Sequence, residues 1–202
     1  MKRKPKYLFF DIECSNGYNI CSFGYVLISE DMRVIRKKDI IINPENRFIL
    51  APKGQRPKIE LAYPQEIFYK QDNFTAYYDE IKQLLVDSKL TLIGHSIQSD
   101  FYFLNYACLR YKFPVFELQG YDTQKMYKKL YNADHVESLE KIIDHLQIEN
   151  DITFHRSCDD ALASFYIARE MCFENNCSME ELLGQCDDCL VLSPEAKNIK
   201  IK

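Results

Sequence analysis

The stretch Tyr7-Leu8-Phe9-Phe10-Asp11-Ile12-Glu13-Cys14-Ser15 constrains this chain more than any other. Its aromatic and aliphatic residues read as a buried strand, yet two acids interrupt it. Side chains two apart in a strand point to one face. Tyr7, Phe9, Asp11 and Glu13 therefore share a face, and Leu8, Phe10, Ile12 and Cys14 share the other. The two acids stand about 6.5–7 Å apart at their Cα atoms. Like charges that close repel, and burying them is costly unless a cation lies between them. A divalent ion meets that need, because hard cations take oxygen ligands. An edge strand with both acids in water is the alternative, and this stretch alone leaves both open.

The rest of the chain is long enough, at 202 residues, to bury one sizeable core. Its 47% hydrophobic and 28% charged residues are ordinary for a soluble globular protein. No apolar run approaches the ~20 residues of a membrane span, so no membrane association is expected. The start, Met1-Lys2-Arg3-Lys4-Pro5-Lys6, is basic, but the apolar segment after it soon meets Asp11, unlike a signal peptide. Eight cysteines without an export signal point to reduced thiols and a cytoplasmic location. The net charge of −4 argues against a broad basic footprint for long nucleic acid. It leaves room for a small acidic site that binds metal and then a phosphate.

Three strands open the chain. Asn16-Gly17 turns the first into a second over 18–30, and Val34 to Ile42 reads as a third, an antiparallel meander. Residues 43–72 are irregular, with Pro44, Pro52, Pro57 and Pro64 among Lys53, Arg56, Lys58, Tyr63, Phe68 and Tyr69. Basic and aromatic residues together suit single-stranded nucleic acid; a proline-broken, solvated loop fits equally. Residues 74–87 have a helical period, Leu90 to Gly94 reads as a fourth strand, and a helix follows with Phe103, Leu104, Ala107, Cys108 and Tyr111 on one stripe. Val115 to Tyr121 reads as a fifth strand, Asp122-Thr123 opens another helix, and Leu139, Ile142, Ile143, Leu146 and Ile148 mark the next.

Asp100 lies in line with the apolar stripe of its helix, where an acid needs a partner; a place in a dipole-favoured first turn is the plainer account. Ser157 reads as an N-cap with Asp160 at N3, a capping-box-like pattern. The helix it opens turns Ala161, Phe165, Ala168 and Cys172 to the core, and His155 stands just before it. In the tail, Cys172, Cys177, Cys186 and Cys189 are spaced C-x4-C-x8-C-x2-C. Zinc sites usually separate their cysteine pairs by more, so reduced thiols on two packed helices are expected.

Taken in order, Phe10-Asp11-Ile12-Glu13, then Gly94-His95-Ser96 with Asp100 and Phe103-Leu104, then His155 with Asp160-Ala161, this sequence resembles the DEDDh exonucleases, the DnaQ-like or DNA polymerase III epsilon-like family. The resemblance covers about residues 6–174. It implies an RNase H-like α/β fold, a mixed five-stranded sheet of three antiparallel and two parallel strands flanked by helices. It implies an exonuclease domain over 1–174 and a short C-terminal helical extension over 175–202. It also implies two divalent ions, Mg²⁺ or Mn²⁺, held by Asp11, Glu13, Asp100 and Asp160, with His155 as general base for the attacking water. Ile12, Cys14, Ser15, His95, Ser96 and Tyr63 would border the terminal nucleotide. The five-residue offset from His155 favours Asp160 over its neighbour Asp159.

The chain departs from the family pattern at Ser96, often Asn, at Ser99, often Phe, and at Cys14-Ser15, commonly a Thr pair. Leu61-Ala62-Tyr63-Pro64 stands where the family often has His-Gly-Ile. The implied activity is metal-dependent 3′→5′ hydrolysis of single-stranded or frayed ends to nucleoside 5′-monophosphates. DNA is favoured over RNA, and a DNA polymerase is a candidate partner. An oligoribonuclease or RNA-trimming enzyme and a non-catalytic nucleic-acid-binding homologue are the alternatives.

Overall fold

A computed structural model describes residues 3–49 and 61–201. Its centre is β1 (Pro5–Cys14), and the sheet is built outward from it. On one side β2 (Ile20–Ser29) and then β3 (Val34–Ile41) add antiparallel through short turns, as the meander pattern predicts. On the other side β4 (Thr91–Gly94) pairs with β1 in parallel, followed by parallel β5 (Gln119–Asp122). A sixth strand, β6 (Leu190–Leu192), closes the order β3-β2-β1-β4-β5-β6 by pairing antiparallel with β5.

The alternation in β1 sorts the core into two layers. Tyr7 and Phe9 pack under α6 (Ser157–Glu174), where Phe165 meets Phe9 edge-on at 5.4 Å. Leu8, Phe10 and Ile12 pack on the opposite side with α3 (Ile97–Arg110) and α2 (Phe74–Lys82), which a π-helical turn extends over Gln83–Asp87. Phe10 stacks on Phe23 at 5.6 Å there. Helices α4 (Thr123–Leu130) and α5 (Leu139–His145) pack on the α6 side, and the short α1 (Gln65–Tyr69) precedes α2.

Several expectations change. The sheet has six strands rather than five. The segment after residue 175 is not helical throughout. A Ser178–Glu181 capping box opens α7 (Met179–Gln185), whose Met179, Leu182 and Leu183 join the core beneath α6. The chain then enters β6, with Val191 buried on the opposite side of the sheet. The fifth strand begins at Gln119, not Val115. Residues 115–118 look strand-like because Phe116 and Leu118 are buried, but the buried Asn105 amide binds both the N–H and the carbonyl of Phe116, in place of a neighbouring strand. The helix at 139 stops at His145, and Gln147 takes a positive φ. Pro52, Lys53, Arg56, Pro57 and Lys58 lie outside the described residues.

Candidate active site

The site forms at the end of β1 that runs past its pairing with β4, which ends at Phe9 opposite Ile93. Asp11 and Glu13 project from this overhang toward α6. Opposite Asp11 in the sheet stands Gly24 of β2, and opposite Gly24 stands Asp39 of β3, a single row across three strands. A Cβ on Gly24 would lie 2.0 Å from the Cys158 nitrogen, so only glycine lets the first turn of α6 rest on the sheet there. From the other side, Asp100 in the first turn of α3 is buried, with the Ile12 N–H close enough to offset part of the rise in its pKa. The acid in line with a core stripe thus faces β1, not solvent.

His155 precedes α6 in the left-handed region, φ 62°. This turns its N–H onto Asp160 Oδ2 at 3.0 Å and its ring toward Glu13, with Nδ1 3.5 Å from Oε1. One ligand atom each of Glu13, His155 and Asp160 lie within 4.8 Å of one another. Asp160 Oδ1 is buried without a hydrogen-bond partner. Asp159 faces away, ion-paired to Lys37 and 3.7 Å from Arg156 Nη1. Ser157 is not the N-cap that its sequence suggests. It is the first residue of α6, and Arg156 in the cap position supplies no side-chain cap. The cap comes from across the sheet, because the row through Gly24 delivers Asp39 to the helix start. Asp39 Oδ1 accepts from Ser157 Oγ at 2.6 Å and from the Cys158 N–H at 3.2 Å.

Burial, and then neighbouring carboxylates, raise three of these acids. Burial holds the Asp11 carboxyl well above the usual range, and the charges of Asp100, Asp160 and Glu13 add to it. Asp100 is raised by burial and by Glu13, with the Ile12 N–H working against them. Asp160 is pushed up to about 7 by burial and Glu13, partly offset by His155. Contact with Glu13 raises His155 above the ordinary imidazole value. Such a pocket is short of positive charge.

The remaining residues named from the sequence lie around this core in different ways. The Ile12 side chain is buried on the far face of β1, so only its backbone reaches the site. Cys14 is half-buried, and burial raises its thiol; Ser15 is fully buried and its N–H donates to the Asn19 carbonyl. His95 engages both ring nitrogens internally, Nδ1 with Thr123 Oγ1 at 3.0 Å and Nε2 with the Glu137 carbonyl at 3.1 Å. Burial lowers its pKa to about 4, so the ring is neutral. Ser96, at φ 58°, donates its N–H to Asp122 Oδ1, the same oxygen that caps α4. Tyr63 donates its hydroxyl to Asp39 Oδ2. Asp39 and Gly24 carry no motif. Their marks in the sequence are an acid closing the basic run Arg36-Lys37-Lys38 and a glycine in mid-strand.

The donor set suits a divalent cation. It is mostly carboxylate oxygen, it holds one buried oxygen with no partner, and its members repel one another without a cation. Among the described residues no other group of three or more His, Cys, Asp or Glu side chains is placed to hold a metal. The four tail cysteines form no such group, and all eight cysteines are free thiols.

Fold and site together define an RNase H-like α/β protein with a carboxylate-lined pocket suited to a divalent ion. Residues 60–171 match the family described as DNA polymerase III subunit epsilon-like, C-terminal domain (DEDDh_C), and the chain belongs to this family of exonucleases. No curated protein matches its sequence. Among solved structures, the nuclease domain of 3'hExo, a DEDDh family member bound to rAMP, is similar with a TM-score of 0.68 at 14% identity, over 85% of this chain and 92% of that one. S. pombe Pop2p in its Mg²⁺- and Mn²⁺-bound form gives 0.64 at 17% identity, over 83% of each chain. Exonuclease X in complex with 5′-overhanging duplex DNA gives 0.60 at 11% identity, over 87% of this chain and 96% of that one. At these identities the likeness is one of fold.

Proposed function

We propose that the protein is a two-metal 3′→5′ exonuclease that removes nucleoside 5′-monophosphates from single-stranded or frayed 3′ ends, with DNA preferred. The observation that carries this reading is the convergence of Glu13, His155 and Asp160 within 4.8 Å, beside the buried, raised carboxyls of Asp11 and Asp100. Asp11, Glu13 and Asp160 would hold one ion and Asp100, with Asp11, the other. Ions so held supply Lewis acidity and charge neutralisation at the scissile phosphate. His155 keeps its ring partly exposed, 40% of the side chain, at the mouth of the site. Oriented by Glu13, it takes the proton of the attacking water. The backbone of Ile12, Cys14 and Ser15 borders the terminal nucleotide, and the free thiols fit a reducing, cytoplasmic setting.

A second reading, an exoribonuclease, is supported by the fold likeness to a nuclease domain bound to rAMP and to the RNase domain of the yeast Pop2 protein. One experiment separates them: digestion of matched 3′-labelled DNA and RNA oligomers, single- and double-stranded and including dinucleotides, with Mg²⁺, Mn²⁺ or chelator. The expected result is metal-dependent release of mononucleotides, faster from single-stranded DNA. Preference for RNA or ribodinucleotides assigns the second reading. No product from any substrate, with Asp11→Ala indistinguishable from wild type, removes both.

A further inference from the structure

We infer that Asp39 is a positioning residue, which sets His155 and Asp160 by holding both the start of α6 and the segment that grips His155. The inference rests on the proposed exonuclease site and deepens it. Asp39 lies on β3, outside every motif, and its side chain is only 8% exposed. Its two oxygens work in different directions. Oδ1 accepts from Ser157 Oγ and the Cys158 N–H, replacing the side-chain cap that Arg156 does not supply. Oδ2 accepts from the Tyr63 hydroxyl at 2.8 Å and faces Arg156 Nε at 3.6 Å. Arg156 Nε also donates to the Tyr63 oxygen at 2.8 Å, and its guanidinium covers the Tyr63 ring. Next to Tyr63, the Ala62 N–H donates to the His155 carbonyl at 3.1 Å.

His155 is thus pinned at both backbone ends, its N–H by Asp160 and its carbonyl by Ala62, while holding a positive φ, a region that residues other than glycine enter uncommonly. Neither pin is anchored by itself. Asp160 takes its direction from the first turn of α6, and Ala62 takes its position through Tyr63. Asp39 binds both anchors, and Gly24 beneath it lets the helix come close enough to be bound. Displacements of about 1 Å at a catalytic group can lower rates about 100-fold. Loss of this carboxylate therefore acts through placement.

The test compares wild type with Asp39→Ala, Asp39→Asn and Ser157→Ala. Three quantities are read: kcat and KM on 3′-labelled single-stranded DNA, Mn²⁺ affinity by calorimetry, and the His155 ring resonances of the metal-free protein, assigned through His155→Gln. For Asp39→Ala the expected results are a fall in kcat of about 10- to 100-fold, KM within about 3-fold, and displaced His155 resonances. Asp39→Asn retains an oxygen for Ser157 and Cys158 and is expected to restore kcat to within about 5-fold of wild type. Ser157→Ala, which removes one anchor without burying a charge, is expected to lose about 3- to 10-fold in kcat and carries the test if Asp39→Ala does not fold. Wild-type kcat and His155 resonances in both Asp39→Ala and Ser157→Ala overturn the inference, as does an Asp39→Asn variant no better than Asp39→Ala. If wild type cleaves nothing, the exonuclease reading fails by itself, and the His155 resonances still decide the role of Asp39: displaced in Asp39→Ala they support it, unchanged they overturn it.

Discussion

Asp159 and Asp160 are adjacent in sequence and face opposite ways: Asp159 pairs with Lys37 of β3, while Asp160 accepts the N–H of His155 and turns toward Glu13. Two buried acids side by side therefore have separable duties. Asp160→Ala is expected to abolish tight Mn²⁺ binding with little loss of stability. Asp159→Ala leaves a partly buried Lys37 without its partner and is expected to lose about 2 kcal/mol, below the range for fully buried pairs because Lys37 is one-third exposed. It keeps Mn²⁺ affinity within a few-fold. Calorimetry and thermal melts on the two variants check this, and a reversed pattern would mean that the register is wrong.

His155→Ala is expected to lower kcat about 100- to 10,000-fold, the usual range for a general base, with Mn²⁺ affinity largely unchanged. Near-full activity of the variant at neutral pH would exclude His155 from proton transfer.

The carboxyls of Asp11, Asp100 and Asp160 are raised in the folded state, and so is His155. For every one of these groups the folded protein binds more protons than the unfolded chain between the two pKa values, so stability falls as pH rises. The contribution of Asp160 is complete below its ordinary value of 3.8 and is lost as pH passes about 7. That of His155 is complete below 6.5 and is lost as pH rises through its higher folded value. The metal-free protein is expected to melt at lower temperature at pH 8 than at pH 5.5. Mn²⁺ at about 100-fold above Kd is expected to raise Tm at pH 8 by about 5–10 °C. Melting curves at the two pH values, with and without chelator, are the check; a metal-free Tm that rises over this interval contradicts the electrostatics.

Gly24→Ala places a methyl against the Cys158 and Ser157 backbone, at 2.0 and 2.1 Å, where no flexible side chain gives way. A loss of about 3 kcal/mol or more is expected, together with reduced activity as the start of α6 lifts from the sheet. Denaturant unfolding measures the first, and an unchanged midpoint would show that the helix start sits farther away than described.

The acidic face of β1 was legible because strand alternation is rigid: once Tyr7 and Phe9 belong to a core, Asp11 and Glu13 must face the same way. The place of Asp160 was legible from its offset to His155. What stayed hidden depends on contacts between distant segments. Asp39 reaches Ser157 only through the row that pairs β3, β2 and β1, and pairing register is not written in any local pattern. Ser157 misled because a serine before an acidic first turn looks the same whether its hydroxyl caps the helix or donates to another carboxylate. Val115 to Leu118 misled because burial by an asparagine side chain and burial by a neighbouring strand select the same apolar residues. Strand β6 escaped because three residues are too few to show a period, although Val191 between two more exposed leucines has the right alternation.

The position of β1 at the centre of the sheet has a consequence for how the protein is made. β1 leaves the ribosome just ahead of β2, with which it pairs as a hairpin, and β3 then adds to β2 in the same way. The other neighbour of β1, β4, and its cover, α6, come much later, and with α6 come His155 and Asp160. Until α6 emerges, Asp11 and Glu13 are thus two acids on a half-finished sheet, without His155 and Asp160 beside them. A chain that lacks the α6 segment has no Asp160 beside Asp11 and Glu13, so the proposed site assembles only once α6 docks on the sheet.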